Sequence, residues 1–154
     1  MKKNFVLICL LQVLISALTT PNVSAEIVRV PYGVDSNGRG NRTFEVANLG
    51  NGCGGRSDYP HISAHVPNTV NVTASTTCKG VQVSIETTLS RKGWFIFRES
   101  VTKKSSGFSK VSVNVSLPCK WRVGNPPIEY IVSSFHKEAR GATATTAVHR
   151  FIRC

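Results

Sequence analysis

Acidic, histidine and arginine residues in the second half of this chain could together perform acid–base chemistry on a phosphodiester. Hydrolysis of RNA needs a general base, a general acid and a cation that holds the phosphate. The residues of suitable type are Glu86, Glu129, His136, His149, Arg140 and Arg150. No spacing forces a glutamate to meet a histidine, so we predict no catalytic residue and keep a secreted nuclease as an alternative.

Positive charge interleaved with aromatic rings is the strongest functional signal. The chain has 19 lysine and arginine residues against 8 acidic ones, a formal net charge of +11. Such residues can bind a nucleic acid, an anionic cell-envelope polymer or an anionic membrane surface by counterion release and stacking. We predict a surface for an anionic partner, mostly in turns, formed by Arg91, Lys92, Trp94, Arg98, Lys103, Lys104 and Lys110. The same charge would also keep an exported protein in solution.

Metal binding is not predicted from the histidines and cysteines. His61 and His65 are four residues apart, but in a strand this spacing does not form the close pair that a helix would give, and zinc needs further ligands. We therefore predict no metal and no cofactor. A serine hydrolase is also disfavoured, because the sequence has no Gly-x-Ser-x-Gly motif.

The beginning of the chain predicts export. A basic start at Lys2 and Lys3 precedes an apolar run over residues 5–18, and Val23-Ser24-Ala25 is a small-residue cleavage site. This is the pattern of a secretory signal peptide over residues 1–25, and the run is too short for a comfortable membrane span. Residues 26–154 are then expected to form a single secreted domain. Removing Lys2 and Lys3 lowers the net charge from +11 to +9.

An even number of cysteines remains after the signal peptide, and in an exported chain this implies disulfides. The four are Cys53, Cys78, Cys119 and Cys154. Three connectivities are open. We favour Cys53 with Cys78 and Cys119 with Cys154, because each pair closes a moderate loop between neighbouring strands. Each bond would contribute about 3 kcal/mol by restricting the unfolded chain.

Alternating apolar residues predict the strands. In residues 70–89 every second residue is apolar or small, both before and after Lys79-Gly80. This pattern predicts two strands with one buried face each, joined as a hairpin by a turn at Lys79-Gly80. Residues 111–119 repeat the alternation. Cys78 and Cys119 share the apolar parity. Shorter strands are expected at residues 26–30, 43–49, 62–66, 94–97, 129–135 and 142–154, and a turn at residues 103–107. Short strands with glycine and proline turns predict an all-β fold, an antiparallel β-sandwich of the immunoglobulin-like or Greek-key kind.

The layout resembles a group of small exported proteins of Gram-positive bacteria. The shared features are the signal peptide, cysteines at strand ends, the segment Thr88-Leu89-Ser90-Arg91-Lys92-Gly93-Trp94, and Tyr130-Ile131-Val132-Ser133-Ser134-Phe135-His136 before a terminal cysteine. The resemblance spans nearly the whole predicted mature chain. It implies an exported two-disulfide β domain with no assigned activity, and no catalytic residue carries over.

These observations predict an extracellular, monomeric binding protein. Its basic surface would contact an anionic envelope polymer or a partner protein. Two alternatives stay open: a secreted nuclease, and an inhibitor or immunity protein that blocks another secreted factor. The inhibitor class would show one tight protein partner and no affinity for polymers.

Overall fold

The computed structural model describes residues 27–29, 44–92 and 99–154. The predicted signal peptide, the predicted strand at residues 94–97, and both Trp94 and Arg98 lie outside these ranges. Within them the chain forms strands and no helix. The strands are β1 (Ile27–Arg29), β2 (Phe44–Gly50), β3 (Cys53–Asp58), β4 (His61–Ile62), β5 (Thr69–Arg91), β6 (Glu99–Pro118), β7 (Ile128–Glu138) and β8 (Thr143–Ile152).

All strand pairs are antiparallel and belong to one sheet in the order β1-β2-β3-β5-β7-β8, with β4 and β6 also paired to β5. The first half of β5 pairs with β3, and its second half pairs with β7. Strand β5 therefore links the β1-β2-β3 part of the sheet to the β7-β8 part. Strand β8 packs against β2 and β3, so the folded sheet is nearly closed. The predicted all-β, antiparallel fold is confirmed.

The predicted hairpin at Lys79-Gly80 is wrong, because β5 runs through this position as one strand. Its pairing with β6 passes from Thr77 opposite Lys110 to Gln82 opposite Phe108, which leaves a bulge on β5. The Gly80 N–H donates to Ser109 Oγ at 3.0 Å, and Gly80 has φ of 70°, a value that glycine adopts without steric cost. The extra residues let the strand bend while apolar side chains still point inward on both sides.

Two other local predictions are corrected. Residues 103–107 form part of β6, paired with residues 83–87 of β5, and not a turn. The predicted strand at residues 62–66 shrinks to β4, which covers only His61–Ile62 before a bend. Strand β3 was not predicted at all, because Cys-Gly-Gly-Arg-Ser-Asp has no apolar alternation. Strands β1, β2, β7 and β8 fall on predicted segments.

The core lies inside the nearly closed sheet and is built from the side chains at alternate positions of the long strands. Its main members are Ala47, Leu49, Val70, Val72, Ala74, Val83, Ile85, Leu89, Val113, Val115, Leu117, Val132 and Val148. Both predicted disulfides are confirmed. Cys53–Cys78 joins β3 to the bulge of β5, with a Cα–Cα distance of 4.2 Å. Cys119–Cys154 joins the residue that follows β6 to the segment that follows β8, with a Cα–Cα distance of 6.3 Å.

Candidate functional site

A cleft opens at the end of the sheet where β5 finishes, β7 begins and β8 finishes. Its volume is about 590 Å³. Three cations line it, Arg91, Lys92 and Lys120, together with the Pro126-Pro127 segment and the ring of Phe151. We call it the cationic cleft. It combines positive charge with an apolar wall, which suits an anionic ligand that also carries apolar surface.

Strand pairing places the cations of this cleft. The Lys92 N–H donates to the Glu129 carbonyl oxygen at 3.0 Å, which extends the β5–β7 ladder by one residue. Lys120 follows Cys119, whose disulfide ties this part of the chain to Cys154. The connection from β6 to β7 forms the apolar wall and is held by the Trp121 indole N–H, which donates to the Asn125 carbonyl oxygen at 3.0 Å.

Arg91 is a structural cation of the cleft. Its side chain is only 12% exposed and forms an ion pair with Glu99, and its Nη1 donates to the Pro118 carbonyl oxygen at 3.3 Å. It pairs across the sheet with Tyr130, which is fully buried. Burial raises the pKa of the Tyr130 phenol above its ordinary value, and the Arg91 guanidinium partly opposes that shift.

The two lysines are the accessible charges. The side chains of Lys92 and Lys120 are 69% and 63% exposed. Lys92 Nζ lies 3.5 Å from Glu129 Oε2, and Lys120 Nζ lies 3.4 Å from Glu99 Oε2. Exposed ion pairs of this kind contribute about 0–1 kcal/mol. A ligand with several negative charges can therefore replace the glutamates as the partner of both lysines.

One acid and one histidine from the nuclease hypothesis meet beside the cleft. Glu129 Oε1 lies 3.0 Å from His149 Nδ1, and the same carboxylate contacts Lys92. The His149 imidazole packs edge-on against Phe151, with 6.2 Å between ring centroids. This arrangement leaves Nε2 of His149 as the ring nitrogen not engaged by Glu129. The pair is on the outer face of the sheet and accessible to a ligand.

The other residues of the nuclease hypothesis are elsewhere. His136 is fully buried, so it cannot touch a substrate. Glu86 pairs with Lys104 at 2.9 Å on the outer face of β5 and β6, and Arg140 lies beside Glu138 after β7. Arg150 is exposed at the same end of the molecule as the cleft.

A buried polar cluster surrounds His136 in the core. Its Nδ1 lies 2.9 Å from Thr76 Oγ1 and its Nε2 lies 3.0 Å from Thr146 Oγ1. Ser57 Oγ then links Thr146 to Ser134 at 2.6 and 2.7 Å. Burial lowers the pKa of His136 to about 4. The cluster links β3, β5, β7 and β8 by hydrogen bonds, and its members are fully buried, so its role is structural.

Of the predicted binding residues that the structure describes, only Arg91 and Lys92 line the cleft. Lys103 and Lys104 are neighbours on β6 and therefore point to opposite faces of the sheet, and Lys110 lies beyond the bulge. Sequence reasoning missed Lys120 and Phe151. The predicted Cys119–Cys154 disulfide was a usable signal, because it brings the residues next to each cysteine to one end of the domain.

In the described part of the chain, no three potential metal-ligating side chains cluster. The same part includes no helix with the length and apolarity needed to cross a membrane.

Comparison of the sequence with protein-family models and with curated proteins finds no match.

Proposed function

We propose that this chain is a secreted, non-catalytic binding protein that holds an anionic polymer in the cationic cleft. One observation carries the proposal: Lys92 and Lys120, from separate parts of the chain, expose their ammonium groups on one cleft beside Arg91. An envelope polymer is one member of this class of ligand, since an exported protein meets the cell surface first, and a nucleic acid is another.

Electrostatics favours a polymer over a small anion. The cleft holds three cations, and Glu99 and Glu129 neutralise part of their charge, so a single negative group gains little. A chain with several charges engages both exposed lysines at once and releases its condensed counterions. The net charge of +9 that remains after removal of Lys2 and Lys3 with the predicted signal peptide would attract such a polymer over longer distances.

Retention on an immobilised anionic envelope polymer at increasing salt tests the proposal. The variant Lys92→Gln/Lys120→Gln removes two exposed charges from the cleft. The matched control Lys79→Gln/Lys137→Gln removes two exposed charges elsewhere. We expect the cleft variant to elute at clearly lower salt than the control. Equal elution of both variants, or retention of the wild type that ignores salt, would rule out the cleft as the binding site.

A secreted nuclease is the second candidate, and the contact between Glu129 and His149 favours it. His149 would exchange protons with the substrate, Glu129 would orient the imidazole, and Lys92 would hold a phosphate. Degradation of RNA and DNA by the wild type, His149→Ala and Glu129→Gln decides the matter. Equal activity in all three proteins, or none in the wild type, ends this hypothesis.

A partner protein in place of a polymer is the third possibility. An inhibitor or immunity protein would form one tight complex whose stability changes little when an anionic polymer is added as competitor. Complex formation that survives such competition would move the function to that class.

A further inference from the structure

Phe151 lies between two cavities at the same end of the molecule. One is the cationic cleft, and the other, of about 220 Å³, is lined by His61, Arg150 and Arg153 as well as Phe151. Phe151 is 60% exposed, although it sits on a strand of a well-packed sheet. An exposed aromatic ring with cations on either side is therefore a feature of this surface.

Strand register gives the scale of this surface. Lys92 joins Glu129 by a backbone hydrogen bond, and Glu129 is the cross-strand partner of Phe151. Adjacent strands lie about 4.8 Å apart, so the Lys92 backbone and the Phe151 backbone are separated by roughly 10 Å. Arg153, which is exposed and lines the second cavity with Phe151, continues the charge on the far side of the ring. Arg150 has the parity of the buried Val148 and Ile152 and so points to the opposite face of β8. A flexible chain crossing this end would meet Lys92, then the Glu129 carboxylate with which Lys92 and His149 already pair, then the ring, then Arg153.

We infer that the polymer bound here is a single-stranded nucleic acid, with one base stacked on Phe151 and the flanking phosphates held by Lys92 and Lys120 on one side and Arg153 on the other. This inference rests on the proposed function, because it names the ligand of the same cleft. The base would lie on the ring that His149 supports from its edge.

The aromatic ring decides between polymer classes. A polyphosphate or a polyol phosphate has charge but no planar ring, and would leave Phe151 uncovered. A duplex buries its base faces within its own stack. A single strand offers both phosphates and free base faces, and the combination of a basic groove with an aromatic platform is how sequence-tolerant single-strand binding works.

Two ligands of similar charge separate the inference from the proposal beneath it: a single-stranded oligonucleotide and a polyphosphate without bases. Binding of both is measured for the wild type, Phe151→Ala, Phe151→Leu and Lys92→Gln/Lys120→Gln. We expect Phe151→Ala to weaken oligonucleotide binding about tenfold and to leave polyphosphate binding unchanged. Phe151→Leu keeps apolar bulk without the ring, and should behave like the alanine variant. The lysine variant should weaken both ligands.

A spectroscopic readout removes any doubt about indirect effects. An oligonucleotide containing 2-aminopurine changes its fluorescence when the base stacks on a ring, and this change should be lost in Phe151→Ala at saturating protein. Because Phe151 is exposed, thermal unfolding should be unchanged by the substitution, which serves as the folding control.

The outcomes are distinct. If the wild type binds polyphosphate at least as well as the oligonucleotide and Phe151→Ala changes neither, the inference fails while the proposed function stands. If neither ligand binds, or if binding ignores the lysine variant, both fail. A preference for immobilised envelope polymer over the oligonucleotide also overturns the inference and returns the partner to the cell surface.

Discussion

The imidazole of His136 occupies the space that a side chain at Gly55 would fill. Gly55 lies on β3 and His136 lies on β7. A Cβ placed on Gly55 would overlap the Cγ, Cδ2 and Nδ1 atoms of the ring. The two strands can approach here because one contributes no side chain and the other contributes a flat one.

Gly55→Ala should therefore destabilise the fold. The ring is held on both sides by Thr76 and Thr146, so it cannot move without breaking hydrogen bonds, and we expect a loss of about 1–3 kcal/mol in the free energy of unfolding. Gly54→Ala is the matched control on the same strand, since its Cβ would meet only the Ala47 carbonyl oxygen at an ordinary 3.6 Å. Denaturant unfolding with both disulfides intact measures the difference. Equal effects of the two substitutions would contradict this account.

The buried His136 makes stability depend on pH in a defined window. The ring has a pKa of about 4 in the folded protein against its ordinary value of 6.5. Between these values the unfolded chain binds a proton and the folded chain does not, so the free energy of unfolding falls as the pH falls. The full shift corresponds to roughly 3 kcal/mol. Well above pH 6.5, His136 adds nothing to the pH dependence of the free energy of unfolding.

Urea unfolding from pH 7.5 down to 4.5 tests this dependence. His136→Gln should flatten the curve, whereas His65→Gln, which changes an exposed histidine in a bend, should keep the slope of the wild type. Glu138 acts below this window, because the backbone N–H groups of Ala142 and Arg140 lower its pKa. A slope that survives His136→Gln would show that another group titrates.

The long strands and the disulfides could be predicted from the sequence because their signal is local. Alternating apolar residues identify β5 and the second half of β6, and Cys78 on the same parity is buried as expected. A bulge and a turn both shift the buried positions from even-numbered to odd-numbered residues. The pattern around Lys79-Gly80 therefore could not distinguish one bent strand from a hairpin. The choice depends on β6, which pairs with both halves of β5.

The candidate site was harder to predict because it is assembled by tertiary structure. Lys92 was found from local charge, but Phe151 meets it only after β8 pairs with β7 and β7 with β5. Lys120 meets it only where the Cys119–Cys154 disulfide ties its segment to this end of the domain. His136 shows the opposite error. Its residue type suited catalysis, while burial in a cluster of hydroxyl groups removes it from any substrate.

Glu45 closes the gap between β2 and β8, and its removal should be costly. Its Oε2 accepts a hydrogen bond from the Ala147 N–H at 2.5 Å, and its side chain is almost fully buried. Glu45→Ala leaves that backbone donor without its acceptor, for which we expect a loss of about 1–3 kcal/mol. The control Glu86→Ala breaks only an exposed ion pair with Lys104 and should cost less than about 1 kcal/mol. Thermal and denaturant unfolding measure the loss of stability in each variant. Equal losses in Glu45→Ala and Glu86→Ala would contradict this role of Glu45.

Lys103 is expected to prevent association of β6 with another strand. Within the described ranges β6 pairs only with β5, so its other edge is open. Lys103 stands directly opposite the buried Thr87 and therefore lies on the inner face of the sheet, although its own side chain is exposed. An inward-pointing charge on an edge strand opposes pairing with a second copy, because pairing would bury it. Lys103→Val should therefore raise the dimer or aggregate fraction in size-exclusion chromatography at high concentration. Lys104→Val, on the opposite face of the same strand, is the control and should stay closer to the wild type. If Lys103→Val instead stays monomeric and Lys103→Gln weakens polymer binding as much as the cleft variant does, the charge at this position serves binding and not protection of the edge.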